Sequence, residues 1–156
     1  MSEFAGCPGS RMFDFRDKAA QNETQTAEIK SQLRQWPIQL HLISPQAPYY
    51  QGADVLLVAD CVAYALGNFH TDYLKGKSIA IACPKLDEGQ DIYVQTIKSW
   101  LEDAKINTLT VLIMQVPCCM GLLNLAKQAA ESSKRKVPIK SVVVSLQGEI
   151  LSEDWI

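Results

Sequence analysis

No run of apolar residues in this chain approaches the ~20 needed to cross a bilayer as a helix, which excludes a helical membrane span. Met1 to Asp17 contains no continuous apolar core of the secretory kind, so a cytoplasmic, reducing setting is expected. Basic charge is scarce: 15 Lys and Arg stand against 17 Asp and Glu, for a net charge of -2. The one basic cluster, Lys134-Arg135-Lys136, lies at a predicted helix end, where cations suit the dipole. Nucleic acid needs a concentrated basic face, and neither nucleic acid nor a membrane is expected as a partner. There is no GxxxxGK[ST] loop and no GxGxxG, so nucleotide binding has no local motif. The cysteines do not fall in CxxC pairs, which excludes a zinc ribbon. They also lack the close spacing of a ferredoxin run. No repeat and no low-complexity segment is present.

What remains is an ordinary globular composition. The 156 residues are 47% hydrophobic and 21% charged, enough for one domain with a sizeable core. Residues 1–21 read as an N-terminal segment carrying Cys7 in Gly6-Cys7-Pro8-Gly9-Ser10, and residues 22–156 as a single α/β domain. Ile29, Leu33 and Trp36 share helical spacing, predicting a helix over 22–36 that Pro37 stops. Predicted strands follow at 38–43, 53–59, 78–82, 108–114 and 140–146. Two longer helices are predicted between them, over 91–105 and 121–133, with a short helical segment after Cys61 through Leu66 and another turn or two over 69–75. The first has Tyr93, Ile97, Trp100, Leu101 and Ala104 on one face. The second turns Leu122, Leu125, Ala126 and Ala129 inward. Trp155-Ile156 forms an apolar tail against the body. Unbroken runs such as Val55-Leu56-Leu57-Val58 mark strands covered on both sides. The pattern is that of a three-layer, mostly parallel sheet of about five strands with helices on both faces, Rossmann- or flavodoxin-like.

In such a sheet every strand ends on one edge, where ligands bind. Cys61 follows one predicted strand, Cys83 ends the next, and Cys118-Cys119 follow a third. Separations of 22 and 35 residues hide this convergence from a local motif search. Each thiol precedes a predicted helix N-terminus, where the dipole is expected to favour thiolate. A single buried cysteine is often no more than a small hydrophobe. Four at equivalent strand ends point to a shared sulfur site, with Cys7 as a fifth donor. An all-sulfur set suits an iron–sulfur cluster or zinc.

Several strings occur in a fixed order: Leu33-Arg34-Gln35-Trp36-Pro37-Ile38-Gln39-Leu40-His41-Leu42, Pro45-Gln46-Ala47-Pro48, Gly52-Ala53-Asp54, Ala59-Asp60-Cys61-Val62-Ala63, Cys83-Pro84-Lys85-Leu86-Asp87 and Val116-Pro117-Cys118-Cys119 with Gly121-Leu122. Over roughly residues 6–150 the chain resembles the C-terminal region of ferredoxin-like 4Fe-4S binding proteins of anaerobic bacteria and archaea. It differs from the longer members in lacking their module of closely spaced cluster cysteines. The resemblance implies iron–sulfur association and an anaerobic redox setting, without fixing a reaction.

The first expectation is therefore a redox protein holding a [4Fe-4S] cluster with four of Cys7, Cys61, Cys83, Cys118 and Cys119. It would act with a redox partner such as a ferredoxin or an oxidoreductase subunit, alone or as a homo-oligomer. The second is a zinc protein or thiol enzyme using Cys118 or Cys119 as nucleophile, a pair also able to form a strained disulfide. The third is an interaction module of a larger redox complex. His41 is expected to be packed within a strand, and His70 packed or at the surface. Asp60 is expected to bond backbone N–H groups rather than act as a base. Asp87-Glu88 is expected to open a helix.

Overall fold

The computed structural model describes residues 28–156. Its sheet holds β1 (Asp54–Ala59), β2 (Ser78–Ala82), β3 (Thr108–Met114), β4 (Ile139–Val144) and β5 (Ile150–Trp155). The spatial order is β2-β1-β3-β4-β5. The first four strands run parallel, and β5 returns antiparallel to β4. β1 and β3 lie centrally, and Val55 to Val58 and Leu109 to Ile113 are almost wholly buried, which is why they read as unbroken apolar runs.

The connections follow the strand order. From β1 the chain moves one way to β2 through α1 (Val62–Ala65) and a π-helical turn at Phe69–Leu74. It then steps back past β1 to β3 through α2 (Gln90–Glu102), and on to β4 through α3 (Met120–Ser132). Right-handed crossovers put the first connection on one face and the other two on the opposite face, where α2 and α3 pack together. The inward residues predicted for these helices are buried: Tyr93, Ile97, Trp100 and Leu101 on α2, and Leu122, Leu125, Ala126 and Ala129 on α3. Arg135 of the basic cluster donates to the carbonyls of Leu101 and Ile106 at 3.2 and 2.8 Å, beyond the C-terminal end of α2. Lys136 does the same for Ala130 of α3 at 3.1 Å.

Three sequence expectations are corrected. The helix predicted over 22–36 is absent across residues 28–36, and the rest of that span lies outside the described residues. Its supposed inner face is exposed, with Trp36 at 74%. This segment instead runs along the outer edge of β2. The strand predicted at 38–43 is reduced to a single parallel bridge, Gln39 to Ile81, followed by a turn. His41 is consequently exposed in that turn rather than packed in a strand. The terminal apolar tail belongs to β5, so the sheet still has five strands, one exchanged for another. The β4–β5 turn closes at Gly148, which has φ 84°; a Cβ there would overlap the carbonyl oxygen of Ala65. Among the described residues no helix is long and apolar enough to cross a membrane.

Candidate thiol site at the carboxyl edge

Strand order reverses between β1 and β3, because β1 continues outward to β2 while β3 lies on its other side. Cys61 follows β1 and Cys118-Cys119 follow β3, so both flank this reversal. Cys83 follows β2, one strand further out. All four are free thiols; Cys61 is exposed and the other three are half-buried. Cys7 lies outside the described residues.

The thiols are close enough to feel one another. Burial raises the Cys61 thiol above its ordinary range, and Cys83, Asp60 and Cys118 push it further the same way. Cys119 is pushed up to about 11, chiefly by burial, with Cys118 and Cys61 adding to it against a backbone hydrogen bond with Met114. The expected lowering by helix N-termini is therefore overturned for these two. α1 has only four residues, and Cys61 and Cys119 both cap their helices with helical backbone and no side-chain bond. At Cys61 desolvation and like charge outweigh the small dipole of α1, and at Cys119 burial outweighs that of the longer α3. Among the described residues, no three Cys, His, Asp or Glu side chains are grouped closely enough to hold a metal ion as they stand.

Two devices fix the thiol-bearing turns. In Cys83-Pro84-Lys85-Leu86-Asp87, the Asp87 carboxylate reaches back and accepts the N–H of Cys83 at 3.0 Å. The same Oδ2 accepts the hydroxyl of Tyr93, a fully buried residue of α2. The N–H groups of Leu86 and Asp87 donate to the Cys83 carbonyl at 3.1 and 2.8 Å. Asp87 was expected to open a helix; instead Gly89, at φ 72°, caps α2 and Asp87 belongs to the thiol turn. The second device is Gly121. A Cβ there would meet Pro84 Cβ at 3.2 Å, so the glycine lets the turn after β3 pack against the turn after β2. Neither role is legible locally, since each joins residues distant in sequence or bonds a side chain to backbone.

Asp60 sits beside Cys61 with its Oδ1 buried and without a hydrogen-bond partner among the described residues. Burial, then the charge of Asp87, raises its carboxyl above the usual range. The backbone bond expected of that side chain is thus missing at Oδ1. His41 stacks on Tyr93 with ring centroids 4.2 Å apart, its Nε2 2.6 Å from the Glu88 carbonyl. It buttresses the Cys83 side of the site. His70, as expected, is packed: its Nδ1 accepts Gln32 N–H at 3.0 Å. An apolar cleft of about 190 Å³ lies beside Asp60 on the α1 face, lined by Val58, Ile79, Ile81, Phe69 and Leu74 among others.

The family model of the Rossmann-like domain matches residues 47–155. The chain belongs to the Rossmann-like domain family. The parallel β2-β1-β3-β4 core and its reversal point are the part of this Rossmann-like domain that positions the thiols. An uncharacterized protein of Archaeoglobus fulgidus is 27% identical over 121 residues, covering 76% of this chain and 83% of that protein. No solved structure matches the chain.

Proposed function

We propose that this Rossmann-like domain is an iron–sulfur redox protein in which Cys61, Cys83, Cys118 and Cys119 hold a [4Fe-4S] cluster at the carboxyl edge, with Cys7 as the alternative donor. It serves electron transfer or supports a partner redox enzyme in the cytoplasm of an anaerobe. The single observation behind this reading is the arrival of four thiols from three neighbouring strands at one edge. The resemblance of the Cys61, Cys83 and Cys118-Cys119 strings to 4Fe-4S binding proteins points the same way.

The donor chemistry fits. A cluster of this type supplies one-electron exchange and is bound through thiolates. Burial, with neighbouring thiols adding to it, keeps metal-free Cys61 and Cys119 protonated; a cation reverses that preference, so binding releases protons. Among the described residues no three donor side chains are grouped to hold a metal ion, so cluster binding requires the thiol-bearing turns to draw together. A thiol raised to about 11 is a poor nucleophile near neutral pH, which weakens the case for Cys119 as a catalytic thiol.

Anaerobic purification is the test. Brown protein with about four iron and four sulfide per chain, and a matching paramagnetic-resonance signal on reduction, is the expected result. Serine at Cys61 or Cys83 should lower the iron content. Zinc without iron would replace the reading with a zinc site. Colourless protein that iron and sulfide cannot reconstitute would overturn it.

A further inference from the structure

The thiol edge is apolar in a way that turns facing water seldom are. Each thiol-bearing turn carries a large exposed side chain close after its cysteine. Tyr64, three residues beyond Cys61, is 93% exposed; Leu86, three beyond Cys83, is 79% exposed; Met120, next to Cys119, is 43% exposed. Leu42 and Ile92, at 68% and 50%, extend the patch across the loop that His41 joins to Glu88. Single exposed hydrophobes need no explanation, but a set gathered round one site marks a contact surface. The charges among them are unbalanced. Glu88 and Asp91 are exposed and Asp87 is half-buried, against the one exposed lysine of the loop, Lys85.

We infer that this edge docks a basic redox protein, one that presents lysines or arginines around an apolar patch over its own cofactor. That the partner is a redox protein rests on the cluster reading; that it is basic and partly apolar rests on the edge itself. A second copy docked edge to edge would set acid against acid, and so would an acidic ferredoxin. An anionic lipid surface is disfavoured for the same reason. Apolar contact at the centre with charge at the rim is the usual division of labour in transient interfaces.

The full chain, labelled with nitrogen-15, is titrated at low salt with cytochrome c, a basic one-electron protein, and separately with an acidic plant-type ferredoxin. Amide shifts are expected in residues 60–64, 83–92 and 117–121 with cytochrome c, weakening as salt is raised. Glu88→Lys combined with Asp91→Lys should weaken binding at least tenfold, as should Tyr64→Ser, Leu86→Ser and Met120→Ser together. All five side chains are exposed, and unmoved β-sheet resonances check the fold. Shifts confined to β5, no shifts, or tighter binding of the acidic probe would overturn the inference. The mapping is run on metal-free and iron-treated chain alike. Edge shifts in a chain that never takes up iron would defeat the cluster and leave the basic-partner surface; a loaded chain without edge shifts would defeat the surface and leave the cluster.

Discussion

The side-chain amide of Gln35 does for Ile79 what a neighbouring strand would do. Its Oε1 accepts Ile79 N–H at 2.8 Å and its Nε2 donates to Ile79 C=O at 2.9 Å. Tyr50 O–H donates to the same carbonyl at 2.9 Å. Two residues on, Ile81 is paired with Ile38 and Leu40 by backbone bonds of 2.8 and 2.9 Å. Gln35→Leu should therefore strand a buried N–H and cost about 2–3 kcal/mol in urea unfolding. An unchanged midpoint would show that the amide is replaceable by water.

Asp87 holds the turn of Cys83 through that residue's N–H, so under the proposed cluster reading it would act as a positioning residue and not as a ligand. Asp87→Ala should lower iron or zinc affinity about tenfold or more, as loss of an outer-sphere hydrogen bond does. Asp87→Asn keeps an acceptor for that N–H and should recover most of the loss. Competition titration with a chromophoric chelator reads both variants, and equal loss in the two would reject the positioning role.

Gly148 combines positive φ with a close approach to Ala65. Gly148→Ala should destabilise by at least about 2 kcal/mol, from left-handed backbone strain plus displacement of the β4–β5 turn against α1. Gly67, where a Cβ meets nothing within 4 Å, is the control: Gly67→Ala should change thermal unfolding little.

Metal-free Cys119 should alkylate slowly at pH 8 and speed up only as the pH approaches its value of about 11. Cys61 is raised too but exposed, so it should react ahead of Cys119. Mass spectrometry after timed iodoacetamide treatment distinguishes them. A Cys119 that reacts fastest at neutral pH would restore the nucleophile reading.

Asp54 accepts from Thr108 Oγ1 and Asn107 Nδ2, both at 2.7 Å, and these bonds hold its carboxyl below the usual range. A depressed folded pKa gives stability that is present above the unfolded value of about 3.9 and lost as the pH falls through the folded one. Asp54→Asn should flatten that part of the acid unfolding curve and leave the neutral plateau nearly parallel to wild type.

β1 and β3 were legible because both their faces are covered, so burial writes itself as unbroken apolar runs, and β2 and β4 from shorter apolar runs such as Val142-Val143-Val144. α2 and α3 were legible because their buried residues recur at helical spacing. The segment before β1 misled for a reason that is also physical. Ile29, Leu33 and Trp36 recur at that spacing too, yet all three are exposed, because residues 35–40 spend their polar groups on the edge of β2. β5 was missed because Ile150 to Trp155 has no buried face to produce alternation. Only its pairing with β4 makes it a strand. The convergence of Cys61, Cys83 and Cys118-Cys119 on one edge could be foreseen from topology. The bond from Asp87 to Cys83 and the contact of Gly121 with Pro84 could not, since they depend on how the turns meet.

Among the described residues, the seal that Gln35 and residues 38–40 place along β2 leaves the sheet with one uncovered margin, β5. As far as these residues go, a strand added from outside has to join there. Two chains that did so would each use up their remaining margin, and addition would end at a pair. The fold thus carries a chain terminator on one side: it cannot be extended strand by strand into a fibre without first stripping that segment from Ile79 and Ile81.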